Sequence, residues 1–386
     1  MAHRLAARMA TIEPFRVVEV MEAAWELEAA GRSLVWFVAG EPDFGTPPQV
    51  VEAAARAAAH GHVHYTASLG IPTLRHAISG YYAERFDVDV SPARVAVTTG
   101  ASSALLMALA ATVDPGGEVV LTDPGYPCNR TFVRLTGGQP VGVAVDGATN
   151  YQLTSDLVTG AWTERTSGVL LATPSNPTGT VVPPAELTAI TDLVAARGAT
   201  LYVDEIYGEL VYDRAPSTVL AHTDNAFVIN SCSKTFGMTG WRLGWMVVPP
   251  WAVEAVRTLA QNVYISPPAP AQHGAVAAFT PSVWEIVEER RQAFQERRDV
   301  LVAGLRTIGF GVDARPEGAF YVYADVSAFD TDSAAFARRL LHEAGVAVTP
   351  GQDFGTNGAD RHVRFSYTTS LDQIHEGLDR MATHLA

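Results

Sequence analysis

The sequence predicts an α/β protein: a mostly parallel sheet with helices on both faces, followed by a smaller α+β piece. Three observations predict it. Between residues 95 and 248, short β-branched and apolar runs alternate with helical stretches of about 10–15 residues. After residue 283 this alternation gives way to one long amphipathic stretch and a mixed set of strands and helices. Polar residues of chemically complementary types follow the predicted strands, where open α/β sheets bind their ligands.

The elements follow in order. Residues 1–13 read as an arm. Residues 14–30 form a predicted helix, with Pro14 in its first turn and Gly31 after its end. A short strand at 34–38 precedes a loop dense in turn formers at 40–48. Helices are expected at 51–59 and 74–85. Strands are then expected at 95–98, 119–121, 141–145, 169–172, 201–203, 227–229 and 243–248. Helices at 102–113, 129–135, 153–162 and 185–197 lie between them, the last opened by Pro183 and Pro184. Residues 283–305 carry apolar side chains at 283, 286, 287, 294, 301 and 305, a helical period with charge between. Strands at 319–324, 346–348 and 362–366 and helices at 333–344 and 371–385 complete the chain. The strand at 34–38 and the N-terminal helix are expected to pack with this last piece.

Composition bounds the function. At 386 residues the chain has room for two domains, and 48% hydrophobic and 18% charged residues fit a globular protein with ample core. A net charge of −14 argues against broad nucleic-acid or anionic-membrane binding. Cys128 and Cys232 lie far apart and form no CxxC pair, which fits a reducing cytoplasm and offers no disulfide framework. The N-terminus has no apolar run with a cleavage site, so no signal peptide is read. The most apolar stretch, 101–113, falls well short of a membrane span of roughly 20 residues.

Lys234 is the sole lysine; every other member of the 27 Lys and Arg residues is arginine. It sits in Ser231-Cys232-Ser233-Lys234-Thr235, ahead of a Gly-punctuated stretch running to Arg242. An arginine keeps its proton and is a poor nucleophile, whereas a lysine amine can deprotonate and form a Schiff base. Compositional drift explains why other lysines are missing, but not where this one survives.

Three more strand ends supply partners. After 95–98 comes Thr99-Gly100-Ala101-Ser102 and a helix, whose free N–H groups and positive end suit a phosphate. After 169–172 comes Pro174-Ser175-Asn176-Pro177-Thr178-Gly179, which holds an Asn on a stiff backbone. After 201–203 comes Asp204-Glu205-Ile206-Tyr207, where a carboxylate at a buried strand end needs a positive partner. One ligand satisfies all four ends: pyridoxal phosphate. Its aldehyde takes an amine, its protonated pyridine nitrogen takes Asp204, and its phosphate takes a helix N-terminus with hydroxyls and an arginine. Its ring oxygen takes Asn176 and Tyr207.

These residues also resemble a family. Gly40-Glu41-Pro42-Asp43-Phe44, Tyr65 in His64-Tyr65-Thr66, Asn176-Pro177-Thr178-Gly179, Asp204-Glu205-Ile206-Tyr207, Ser231-Cys232-Ser233-Lys234 with Arg242, and Arg364 in Val363-Arg364-Phe365-Ser366-Tyr367 occur in the order of the class I/II aminotransferases of PLP fold type I. The aspartate-aminotransferase-like branch is the nearest likeness, from about Phe15 to the C-terminus. The resemblance implies a large domain with a mostly parallel seven-stranded sheet between helices, plus a smaller α+β domain. It divides the chain into 1–46 (arm and part of the small domain), 47–282 (large PLP-binding domain) and 283–386 (small domain).

The resemblance also implies roles. Lys234 forms the Schiff base and, once freed, is the acid/base of the proton shift. Asp204 pairs with the pyridine nitrogen; Asn176 and Tyr207 bind the ring oxygen. Tyr126 stacks on the ring. Ala101, Ser102, Ser231, Ser233 and Arg242 bind the phosphate. Tyr65 reaches the phosphate of a neighbouring subunit, so a homodimer with shared sites is implied. Arg364 grips the substrate α-carboxylate, with Gly40 and Asn176 beside it. A cis bond before Pro177 is expected. The expected activity is ping-pong transfer of an amino group between an L-amino acid and a 2-oxo acid. A β-C–S lyase or an aminocyclopropane-carboxylate synthase would keep the same cofactor residues. A PLP-sensing transcription regulator would need a DNA-binding module, which the acidic chain does not display.

Other features have plainer readings. His60, His62 and His64 alternate, but without a second ligand cluster they read as a solvated or interface loop, with no metal expected. Arg290, Arg291, Arg297 and Arg298 among glutamates read as a charged helix face. Trp241, Trp245 and Cys232 read as packing, and Glu205 as facing solvent or a partner. Tyr264 and Phe320 read equally as pocket or core. Residues 12–17, Tyr264 and Ser266-Pro267-Pro268-Ala269 are expected to shape the side-chain pocket. Their apolar character tilts the expectation to a neutral aliphatic or aromatic amino donor.

Overall fold

In the computed structural model, residues 5–386 are described; the first four positions of the expected arm lie outside the described residues. A seven-stranded sheet organises the larger part. Its strands are β2 (Val95–Thr98), β3 (Glu118–Asp123), β4 (Gln139–Ala144), β5 (Thr166–Ala172), β6 (Thr200–Asp204), β7 (Ala226–Ser231) and β8 (Gly244–Val247), in the order β2-β8-β7-β6-β5-β3-β4. Only β8 runs antiparallel to its neighbours. The inner strands β6, β7 and β8 and the edge strand β2 are buried along their whole length, as apolar runs require when both faces are covered.

Helices cover both faces. On one side α4 (Ala101–Thr112) and α9 (Val253–Val263) pack Leu105, Leu109, Val256 and Ala260 against Phe227, Ile229 and Met246. On the other, α3 (Pro72–Phe86), α7 (Pro184–Ala196) and α10 (Ala269–Ala278) pack Leu74, Ile78, Leu187, Ile190 and Ala275 against Val97, Val203 and Val228. Next to α10 lies α2 (Pro48–Ala59); α5 (Pro127–Leu135) and α6 (Ser155–Ala161) follow β3 and β4. Neither α9 nor α10 was expected. The Ala-rich α10 buries residues on most of its surface, so it presents no apolar stripe to read.

A second apolar cluster forms around the three-stranded antiparallel sheet β11-β12-β9, with β9 at Tyr321–Asp325, β11 at Thr349–Pro350 and β12 at His362–Ser366. A parallel pair joins β1 (Val35–Trp36) to β10 (Val346–Ala347), which seats the early strand on the C-terminal piece as expected. Above it, α1 (Arg16–Ala29) packs Val17, Val20, Met21 and Leu27 against Leu34, Val38 and Leu341. The helices α12 (Ser333–Arg339) and α13 (Leu371–Leu385) close this piece.

The long amphipathic stretch is one helix, α11 (Pro281–Ile308), opened by proline and ended by Gly309 in the left-handed conformation. Its arginines are not one charged face. Arg298 is buried, pairing with Asp213 and Asp299 and donating to Pro316 O. Arg297 is buried too, pairing with Asp43 at 2.8 Å with its guanidinium over the Phe44 ring. These two arginines therefore bind the 40–48 loop and the 213 turn to the helix. Arg291 pairs along the helix with Glu288, as a solvated face would.

Candidate active site

Strands β2, β3, β5, β6 and β7 all end on one edge of the sheet, because β8 is the only reversed strand. Register fixes the spacing there. Thr98 and Ser231 both pair with Gly244, and Ala172 pairs with Asp204. A Cβ on Gly244 would lie 2.9 Å from the Ala101 nitrogen, so only glycine lets the start of α4 sit this low over the sheet. Beyond these ends lies a cavity of about 360 Å³, closed on its far side by β12, β9, α1 and the turn around Asp353.

Lys234 enters the cavity from α8 (Cys232–Thr235), a single helical turn where a loop was expected. Ser231 caps that turn, its Oγ accepting from Ser233 N at 3.0 Å. Burial lowers the Lys234 amine to about 8, against an opposing pull from Glu41. Its Nζ donates to Gly40 O at 2.6 Å. Asp204, the last residue of β6, is buried in the same cavity and accepts from Ile206 N at 3.1 Å. Burial pushes its carboxyl up to about 6, while the Ile206 N–H and Lys234 pull it back. A cationic ring nitrogen beside it would hold it ionised.

One end of the cavity suits an anion. Gly100 turns the chain from β2 into α4 at φ +83°, and a Cβ there would meet Arg242 Nη2 at 2.8 Å. Ala101, Ser102, Ser231, Ser233 and Arg242 line this end. Arg242 itself adopts a positive φ of 53°, costly for a residue with a side chain, with Nη1 donating to Thr239 O.

The other end suits a carboxylate. Arg364 on β12 is buried between two rings, 4.4 Å from the Tyr321 centroid and 4.9 Å from that of Phe354. Its Nη1 donates to Asn176 Oδ1 at 2.9 Å and its Nη2 to Val38 O at 2.8 Å, while Nε is buried with no protein partner. Because the Asn176 oxygen is committed to Arg364, its amide NH₂ is the group left for a ligand oxygen. Tyr207 shares a 2.8 Å hydrogen bond with Tyr321, and burial keeps its phenol neutral. A Cβ on Gly40 would lie 3.1 Å from the Tyr321 hydroxyl, so a bare backbone is what fits there.

The cavity thus gathers Gly40, Ala101, Ser102, Tyr126, Asn176, Asp204, Tyr207, Ser231, Ser233, Lys234, Arg242 and Arg364. It does not gather Tyr65, which is 80% exposed on the surface. The Asn176–Pro177 bond is cis, as are Asp123–Pro124 and Thr173–Pro174. Glu205 departs from expectation. It faces neither solvent nor an open surface but is buried, accepting from Val219 N at 2.8 Å and Thr218 Oγ1 at 3.2 Å.

Trp245 and Cys232 are core residues, and Phe320 joins the second apolar cluster. Tyr264 bonds Val97 O, and it and the 266–269 stretch line no part of the cavity. The 12–17 stretch does reach it, through Phe15 and Val17. His60, His62 and His64 are exposed, and no metal-binding cluster of His, Cys, Asp or Glu occurs among the described residues. Also among the described residues, no helix is long and apolar enough to cross a membrane. Sequence reasoning missed Tyr321, Asp353, Phe354, Val18 and Met21 as cavity residues; no motif marks them, and each arrives from a distant segment.

Pyridoxal phosphate fits this donor set. The anion end, the buried carboxylate and the lone amine border one cavity, and Gly100 and Gly244 keep the anion end free of side chains.

Comparison with known proteins agrees. The family profile described as Aminotransferase class I and II matches residues 32–381. The chain is 41% identical over 387 residues to a valine–pyruvate aminotransferase of Mycobacterium tuberculosis, covering 100% of this chain and 99% of that one. It is 35% identical to an aspartate aminotransferase of Geobacillus stearothermophilus, covering 98% of each. Among solved structures, an aspartate aminotransferase from Thermus thermophilus with maleate superposes with a TM-score of 0.93 at 36% identity, over 99% of this chain and 100% of that one. The chain therefore belongs to the class I and II aminotransferases of PLP fold type I, and it is a pyridoxal-phosphate-dependent enzyme that moves an amino group between an amino acid and a 2-oxo acid.

Proposed function

We propose that Lys234 is the catalytic base of this transfer, that Arg364 holds the substrate carboxylate, and that the donor is a neutral amino acid with an apolar side chain. The observation that carries the reading is the convergence of one buried amine, one buried carboxylate and one ring-sandwiched guanidinium on a single cavity. Bound pyridoxal phosphate supplies an electron sink for the pair left at the substrate α-carbon.

The chain supplies the rest. Lys234 would hold the cofactor's aldehyde carbon through Nζ. Displaced from it, Nζ takes the α-proton and returns it, and an amine lowered to about 8 sits close enough to neutrality to do both. Asp204 would keep the ring nitrogen protonated. Asn176 and Tyr207 would orient the ring oxygen, with Tyr126 against the ring. Ala101, Ser102, Ser231, Ser233 and Arg242 would hold the phosphate. Arg364, assisted by Asn176 and Gly40, orients the substrate so that its α C–H faces Nζ.

The donor class follows from the remaining wall. Phe15, Val17, Val18, Met21, Leu105 and Phe354 are apolar, and the cations on the cavity are Lys234, Arg242 and Arg364, all already assigned. The valine–pyruvate relative supports valine-like donors with pyruvate as acceptor. The reading extends to a homodimer, in which the exposed Tyr65 of each copy would reach the other's phosphate end. Cytoplasmic location is supported by the free cysteines Cys128 and Cys232. The division into 1–46 with 283–386 and 47–282 is supported by the second apolar cluster, most of which comes from Val35, Phe37 and residues 294–381, with Tyr207, Leu210 and Tyr212 joining it from the larger part.

The test is direct. Lys234→Ala should lower turnover of valine and pyruvate by about 10²–10⁴-fold and abolish the visible absorption that wild-type protein develops with pyridoxal phosphate. Retention of both would overturn the assignment. Production of ammonia without a new amino acid would favour a lyase.

A further inference from the structure

The first turn of α1 is capped from the far end of the chain. Its own N-cap residue, Phe15, provides no side-chain acceptor. Instead the Asp353 carboxylate accepts from Arg16 N at 2.9 Å and from Val17 N at 3.3 Å. These are two of the N–H groups that a helix start leaves unpaired, and a carboxylate there also meets the positive end of the helix. Asp353 is itself buried, and its position is fixed from the segment after β3: Arg130 Nη1 on α5 and Gly125 N in the loop before it both donate to the adjoining Phe354 O, at 2.8 and 2.9 Å. The Phe354 ring covers Arg364. One carboxylate thus sets where the apolar face of α1, with Val17, Val18 and Met21, stands relative to the carboxylate grip.

Charge adds a second consequence. Asp353 and Asp204 are the acids on the cavity, and Asp204 lies at the strand ends. Arg16 carries the nearest cation of α1, but it is exposed and lines a separate groove with Ala334, Ala337 and Arg338. A second carboxylate on the substrate would come to rest beside apolar carbon and a like charge.

We propose that Asp353 is a specificity-determining positioning residue: it pins α1 as the apolar wall of the side-chain pocket and disfavours donors that carry a second carboxylate. The inference rests on the neutral-donor reading above, and one set of measurements separates the two. Wild type, Asp353→Asn and Asp353→Ala are assayed as holoenzymes with valine and with aspartate, pyruvate being the acceptor. The neutral-donor reading requires wild type to favour valine in kcat/KM; preference for aspartate in wild type would overturn that reading.

Asp353→Asn keeps an acceptor but removes the charge. It should narrow the valine-to-aspartate ratio of kcat/KM by about tenfold, with the valine KM little changed. Asp353→Ala removes both and should raise the valine KM by about tenfold, with kcat within a few-fold of wild type. Near-wild-type ratios and KM values in both variants, with valine still preferred by wild type, would overturn the role of Asp353 and leave the donor class standing. Equal loss of kcat for both donors, without a change in their ratio, would reduce Asp353 to a folding contact and likewise overturn it.

Discussion

The two halves of the cavity are built differently. The half proposed for the cofactor lies on the carboxyl ends of the parallel strands β2, β5, β6 and β7, where Asp204 ends a β-run and Ser102, Asn176 and Lys234 each follow one within a few residues. Register alone then sets the spacing: Ala172 beside Asp204, and Thr98 and Ser231 either side of Gly244. The half proposed for the substrate is assembled from α1, Gly40, β9, the turn at Asp353 and β12, segments up to hundreds of residues apart that meet around the second apolar cluster. The first half is a property of one sheet. The second depends on how two packed bodies meet, so it is the half that can change donor preference without touching the chemistry.

The largest effect expected from this contrast is at Asp204. Asp204→Asn retains the shape of the strand end but gives up the charge that would hold a ring nitrogen protonated. Turnover should fall by about 10²–10³-fold with every donor alike, while pyridoxal phosphate is still retained. Donor-dependent losses would break the separation between the halves. At Arg364 the outcome should invert. Arg364→Lys loses the fork and the bond to Asn176, so kcat/KM for amino donors should drop by roughly 10–100-fold, as for a charged hydrogen bond of about 1.5–3 kcal/mol, while cofactor affinity changes little. Equal weakening of cofactor and donor would show that Arg364 serves both halves.

Tyr321→Phe sharpens the boundary. The ring over Arg364 remains and the hydroxyl shared with Tyr207 goes. A lost hydrogen bond of about 1 kcal/mol predicts roughly a fivefold fall in kcat. A shift in the visible spectrum of the holoenzyme would place Tyr321 with the cofactor half, and a change confined to KM would place it with the substrate half.

The same contrast explains what the sequence makes legible. Lys234, Asp204 and Asn176 are legible as cavity residues because each lies at or just past a strand end and its chemistry is unusual for its place. Arg364 is legible as a cavity residue only through its match to the family pattern, in a strand whose register with Tyr323 is invisible in one dimension. Asp353 and Tyr321 carry no local signal: one is an acid in a turn, the other an aromatic in a β-run. The burial of Arg297 and Arg298 was misread for a related reason, since their partners Asp43 and Asp213 lie far from α11 in sequence. Glu205 was misread because its acceptors' partners, Val219 N and Thr218 Oγ1, come from a turn that has no pattern of its own.

Glu205 also yields the smallest predicted effect, on stability alone. It adjoins Asp204 but lines no part of the cavity. Burial pushes its carboxyl up to about 8 in the folded chain, against partial relief from the Val219 N–H and the Thr218 hydroxyl. The folded state therefore binds a proton that the unfolded state releases at ordinary carboxylate pH. Its contribution is fully present below the unfolded value of 4.5 and is lost as pH rises through about 8. Glu205→Gln keeps an oxygen for Val219 N and never ionises. Relative to wild type it should gain on the order of 1 kcal/mol, or about 2 °C in Tm, at pH 8 and nothing near pH 4.5. Calorimetric scans of both proteins across that range test the sign. A stabilisation that is larger at pH 4.5 than at pH 8 would mean that Glu205 is held ionised in the fold, and that the end of β6 contains two buried negative charges rather than one.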